Sequence, residues 1–262
     1  MAWKTLLLEK RDQVAVLTLN QPEKRNAMTM EMGLEFKSAI ETLKQDREVR
    51  VLLITGRGSS FSAGGDLQSA FDQFEAPAAE AKANIIRFYK TFLSVKELEI
   101  PTIAALKGHT IGAALCLALA CDMRVAAADT QMSMSFIKIG IHPGMGASYS
   151  LPRLVGTARA FEMCLTGDPI DAAEALRIGL VNQVVETGQL DDAAFKLALR
   201  IARNPAVPAR YLKRSIYQAL DTDLERALDY ESSAQVICSL TEDMKEGLAA
   251  AREKRKPVFK GY

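Results

Sequence analysis

Two stretches of the 262-residue sequence place small residues where a ligand needs close access to the main chain: Ser62-Ala63-Gly64-Gly65-Asp66-Leu67 and Gly108-His109-Thr110-Ile111-Gly112-Ala113-Ala114. The first follows residues 49–55, a continuous apolar run of strand length, so its glycines let a bound group approach the backbone. The second enters an alanine- and leucine-rich helix expected from about residue 112 to 120, whose first turn offers unpaired N–H groups and the positive end of the helix dipole. Taken singly, one pattern is also a plain turn and the other tight helix packing. Taken together, they supply backbone donors on two loops, one of them the N–H of Gly65. Two such donors aimed at one carbonyl oxygen are what a developing oxyanion requires.

The elements that must carry these loops follow from the apolar pattern. Residues 5–10 and 14–20 are short, β-branched runs joined by Arg11-Asp12-Gln13, which predicts a hairpin. Thr29 is a cap for a helix through about Gln45, and the strand at 49–55 reads as buried on both faces. Polar helical spacing covers about 78–97, strands follow at 102–106 and 123–127, and Gly140 to Gly146 opens a helix toward Arg153. A helix ending at Gly179 precedes a last strand at 180–185. From Leu190 onward only helical patterns occur, with breaks expected at Asn204-Pro205 and Pro208. This order predicts a mixed α/β chain, a core at 1–188 and a helical region at 189–262, with no low-complexity linker and so one fold unit.

Bulk composition narrows the function classes. With 48% hydrophobic residues the chain can bury a large core, and 33 basic against 32 acidic residues leave a net charge of +1. That balance gives no field to draw in nucleic acid or an anionic membrane, and the basic cluster at Arg252, Lys254, Arg255 and Lys256 reads as a solvated or subunit-facing helix end. The three-leucine run near the start is too short for a signal peptide or a membrane span, which predicts a cytoplasmic protein. Cys116, Cys121, Cys164 and Cys238 lack paired spacing, and His109 and His142 are the only histidines, so neither a disulfide framework nor a metal centre is expected.

Beyond these loops the sequence resembles the enoyl-CoA hydratase/isomerase superfamily, the crotonase fold, over nearly its whole length. The resemblance rests on Leu19-Asn20-Gln21-Pro22 with Asn26-Ala27-Met28, the loop from Phe61 to Leu67, Ile100-Pro101 through Cys121-Asp122, Pro143 to Gly156, Leu165-Thr166-Gly167, Ala172 to Val181, and Lys254 to Gly261. It implies a spiral of ββα units, a helical C-terminal trimerisation region, and a homotrimer or dimer of trimers. It further implies an acyl-CoA thioester substrate, with coenzyme A as part of that substrate and no separate cofactor. The thioester carbonyl would lie between the N–H groups of Gly65 and Ala113. The rest of the molecule would run past Ala63, Gly65, Asp66 and Leu67, with Gly112 and Phe136 beside the acyl group and Lys24 or Arg25 reaching a phosphate.

The sequence departs from that family where the chemistry is done. The two glutamates with which the family's hydratases position water fall here on Cys116 and Phe136, and the aspartate nucleophile of the related aroyl-CoA dehalogenases falls on Gly144. A positioned acid or base supplies roughly 10² to 10⁴ in rate, so ordinary hydration is expected to be weak or absent. Four residues near the inferred pocket remain as replacements. Cys116 is an acid or nucleophile, or else an inert buried thiol. His142 is a proton carrier or a loop residue held by backbone contacts. Tyr149 is a donor to the acyl chain or part of the packing. Ser135 would hold a water. Asp66 at a helix start reads as a cap, and His109 as a support for the second loop. Hydratase or lyase, isomerase, decarboxylase and hydrolase outcomes stay open, beside a catalytically silent acyl-CoA binder. Decarboxylation is the chemistry least damaged, because carbon dioxide leaves without a protein base.

Overall fold

In the computed structural model, residues 3–66 and 76–261 are described. Leu6–Arg11 (β1) and Val14–Leu19 (β2) pair antiparallel with Leu6 opposite Leu19, and the turn between them is tight because Asp12 and Gln13 both take left-handed φ (48° and 68°). That geometry matches the twist of the flanking strands. Thr29 accepts from Met32 N–H and starts Met30–Gln45 (α1), which leads to Val51–Gly56 (β3). After Ala78–Leu93 (α2) come Thr102–Leu106 (β4), His109–Ile111 (β5) and Ala113–Ala120 (α3). Next are Met123–Ala127 (β6), Gln131–Ser133 (β7), Ala147–Val155 (α4), Thr157–Thr166 (α5), Ile170–Asp171 (β8), Ala172–Arg177 (α6) and Gln183–Val185 (β9). The C-terminal helices are Leu190–Ala202 (α7), Ala206–Ala219 (α8), Leu224–Ser239 (α9) and Glu242–Glu253 (α10).

Among the described residues the strands form two sheets. One has six strands in the order β1-β2-β3-β4-β6-β9, and the other has three in the order β5-β7-β8. The chain visits them in turn: β4 to the large sheet and β5 to the small one, β6 to the large and β7 to the small, and then β8 and β9. Each passage from a long strand to a short one and then to a helix advances the spiral by one step. Every pairing of the large sheet after the first is parallel. A parallel sheet needs cover on both faces, and β3 is buried at every position. Leu17, Leu52, Ile54 and Leu106 face α1, α2 and α3 through Phe36, Phe92 and Leu115. Val14, Val51, Leu53, Ile103 and Val125 face α7, whose Leu190, Ala194, Ala198 and Ala202 recur every fourth residue or so along one stripe. The first helix of the C-terminal region therefore closes the core.

Several sequence expectations shift. Pro208 does not break a helix; it stands in the first turn of α8, where no intrahelical donor is lost. The final strand is Gln183–Val185 rather than 180–185, because Gly179 (φ 76°) turns the chain and Leu180 and Val181 plug the core instead of pairing. The stretch 78–97 is helical only to Leu93, with a 3₁₀ turn over Ser94–Glu97. Strands β5, β7 and β8 were not foreseen. Among the described residues, no helix is long and apolar enough to cross a membrane, and no cluster of metal-ligating side chains occurs.

Candidate active site

The first loop is pinned from below by Asn26, which is fully buried and left-handed at φ 52°. Its Nδ2 donates to the carbonyls of Arg57, Ser60 and Phe61, its Oδ1 accepts from Gln21 N–H, and its carbonyl accepts from Ser62 Oγ at 2.7 Å. Asparagine tolerates this backbone where most residues do not. The loop is also stitched on both sides. Met28 N–H donates to Gly64 O and Asp66 N–H donates to Met28 O, while Ser62 exchanges bonds with His109 and Ile111. In this ladder the groups of Gly64 and Asp66 face Met28, so the N–H of Gly65 faces the other way. Gly64 is left-handed (φ 98°), and a β-carbon on it would strike the carbonyl of Ile111. The two loops therefore meet backbone to backbone.

The second loop ends at Gly112, whose φ of 54° and ψ of −114° suit only glycine. Its N–H donates to Ser133 O at 2.8 Å and is spent there. Ala113 is the first residue of α3, a helix buried along its entire length, so its N–H is one of the orphan donors at a helix N-terminus. Among the described residues neither the Gly65 N–H nor the Ala113 N–H has a protein acceptor. Both line the wall of one cavity of about 560 Å³. A β-carbon on Gly65 would lie 4.0 Å from that of Ala113, which puts the two residues side by side.

Of the residues singled out in the sequence, Ala63, Gly65, Asp66, Gly112, Ala113, Ser135, Phe136 and His142 line this cavity; Leu67 lies outside the described residues. Ala63 gives its own N–H to the carbonyl of Arg25, which brings exposed Lys24 and Arg25 to the rim of the loop. Phe136 turns its ring to Gly112. His142 is exposed, and its Nδ1 lies 2.7 Å from the Pro143 carbonyl; an acceptor there requires the proton on Nδ1. His109 reaches Ser60 Oγ at 3.4 Å and braces the first loop.

Two candidates fall elsewhere. Cys116 stands behind the wall, 2% exposed, with its thiol donating to Gly144 O at 3.5 Å, and burial pushes the thiol well above its ordinary range. Tyr149, expected near the pocket, points away from it. Its helix position sends the hydroxyl to Asp221 at 2.9 Å, and the Arg153 guanidinium stacks 3.6 Å from its ring centre. The sequence reading looks to the segment from Phe71 to Tyr89 for the pocket wall without placing it, and residues 71–75 lie outside the described residues. Tyr89 reaches the site from α2 together with Ile85 and Phe88, an i, i+3, i+4 face. That spacing was visible in the sequence, but it did not say which residues of the segment meet the cavity. Among the described residues of the lining, Asp66 is the single carboxylate.

The family model described as enoyl-CoA hydratase/isomerase matches residues 9–262. A crotonyl-CoA hydratase of Syntrophomonas wolfei is 39% identical over 260 residues, covering 99% of both chains. A short-chain-enoyl-CoA hydratase of Clostridium acetobutylicum is 36% identical, covering 98% of this chain and 97% of that one. The crystal structure of an enoyl-CoA hydratase from Bacillus anthracis superposes with a TM-score of 0.93 at 31% identity, over 99% of this chain and all of that one. Fold, loop geometry and sequence agree: this chain belongs to the enoyl-CoA hydratase/isomerase family.

Proposed function

We propose that this chain is a cytoplasmic enzyme acting on an acyl-CoA thioester, and that it stabilises an enolate-like oxyanion between the N–H groups of Gly65 and Ala113. One observation carries this reading: two neighbouring residues from different ββα units, whose N–H groups both lack a protein acceptor among the described residues, stand in the wall of one cavity. The dipole of α3 adds positive potential at the same point. Hydration, the reaction for which the relatives are named, needs a group to activate water and another to return the proton. Cys116 and Phe136 supply neither. Chemistry that asks only for enolate stabilisation and one proton, namely decarboxylation, fits the lining best, because the departing carbon dioxide forms the enolate without a base. The missing acid/base pair favours one alternative, a silent acyl-CoA binder.

A single experiment separates the two. Short-chain, branched, aromatic and malonyl-type CoA thioesters are incubated with the protein in heavy water and followed by mass spectrometry. Deuterium uptake or mass change above the protein-free rate is expected. Ala113→Pro deletes one donor at the helix position where proline is best tolerated, and should lower turnover by about 10²- to 10³-fold. Binding without any turnover across the panel leaves the silent binder as the function.

A further inference from the structure

The cavity lacks a glutamate at both places where its family would carry one, yet it is not without an acid. Tyr89 is half-buried in the wall, and no described residue donates to or accepts from its hydroxyl. A phenol in the wall of a ligand cavity, with no partner among the described residues, is free to meet a ligand or water there. Its position is set by two neighbours. Phe88 holds the ring edge-on at 6.5 Å between centroids, and the hydroxyl rests directly over Gly144, so a β-carbon on Gly144 would collide with it. Gly144 has no left-handed φ, so the backbone would accept alanine there. What glycine provides at this position is room for the phenol.

Gly144 also ties the phenol to the donors. Its carbonyl accepts from Cys116 Sγ, and Cys116 lies three residues, about 4.5 Å along the axis, beyond Ala113 on the same face of α3. A thioester whose oxygen sits at the Ala113 N–H has its α-carbon bonded to the same carbonyl carbon, and so in the cavity that Tyr89 and Gly144 also line. The other titratable groups of the lining are less suited. His142 is exposed and has its Nδ1 proton engaged, and Asp66 sits at the other loop with an interaction of its own.

We infer, on the basis of the enolate reading above, that Tyr89 is the proton donor of the site and that Gly144 is the residue that positions it. The phenol O–H breaks and its proton joins the α-carbon as the enolate oxygen re-forms the thioester C=O. The phenolate left behind takes a proton from water entering through the open mouth. Burial, with a smaller contribution from the nearby Cys116, raises the phenol above its ordinary value, so it carries its proton throughout the neutral range.

The test is turnover and deuterium uptake of the best thioester from the panel, with its affinity measured by calorimetry. Tyr89→Phe should lower kcat by about 10²-fold at unchanged affinity. It should also remove the alkaline limb of the pH profile, on which wild-type turnover falls as the phenol ionises. Gly144→Ala, which keeps the phenol but displaces it, should lower kcat in the same direction. Wild-type kcat in Tyr89→Phe, with Ala113→Pro inactive, overturns the role of Tyr89 and leaves the enolate reading intact. Should Tyr89→Phe fail to fold, wild-type kcat in Gly144→Ala overturns it equally. Binding without turnover in the wild type overturns both.

Discussion

Cys116 falls where the family resemblance implies a catalytic glutamate, and its surroundings decide what a thiol does there. Only the thiolate is nucleophilic, and a thiol buried this deeply, with its pKa raised by burial, holds almost none of it at neutral pH. Iodoacetamide treatment of the native protein followed by peptide mapping is therefore expected to leave Cys116 unmodified, whereas the guanidinium-unfolded chain should label there fully. Native labelling within minutes would return Cys116 to the list of nucleophiles. At this scale the sequence exposed one half of the site. Gly65 and Ala113 lie in loops whose glycines announce close backbone approach, and resemblance gave them a common target. Asn26 and Tyr89 were hidden for a physical reason. An asparagine that ties three carbonyls together is indistinguishable in sequence from one in a turn, and a tyrosine on an amphipathic helix declares which face it shares but not what that face meets.

Helices carry these side chains to the site, and α2 does so through its contact with α1. Gly33 near the start of α1 lets the two approach closely: a β-carbon there would collide with Thr91 Oγ1 and lie 3.0 Å from the ring of Phe92. Replacing a glycine within a helix gains up to about 1 kcal/mol of propensity with alanine and less with a β-branched residue. Overpacking a filled interface costs about 1–3 kcal/mol. Gly33→Val is thus expected to be net destabilising, with a Tm lower by a few degrees in differential scanning calorimetry, and to reduce turnover by shifting the helix that bears Tyr89. An unchanged Tm would mean that α2 moves away freely. The long strands and helices were readable because their apolar periods persist over five or more residues. Strands β5, β7 and β8 were not, since two or three residues cannot display a period. Their pairing is fixed by tertiary contact, as in the bond from Gly112 N–H to Ser133 O that sets the second loop.

Among the described residues, exposed large apolar side chains gather on the C-terminal helices. Leu224 on α9 is 70% exposed, Val236 near the end of that helix is 62%, and Leu240 just beyond it is 77%; Leu212 and Ile216 on α8 are exposed as well. Contiguous patches of this kind mark interaction surfaces. The homotrimer or dimer of trimers implied by resemblance is a proposal that gives these side chains a partner of the same sequence. Fully burying one valine or leucine is worth about 1.5–3 kcal/mol relative to leaving it in water. A charge in its place forfeits that gain and adds a desolvation cost. Light scattering at micromolar concentration is expected to give three or six times the 28.6 kDa chain mass for the wild type, and a smaller species for Val236→Glu/Leu240→Glu. A wild type that runs as a single chain would refute the assembly. A variant that keeps the full mass would place the interface on α8 or elsewhere. Because α7 closes the core on its own chain, the variant should retain its helical circular dichroism, which distinguishes loss of assembly from loss of fold.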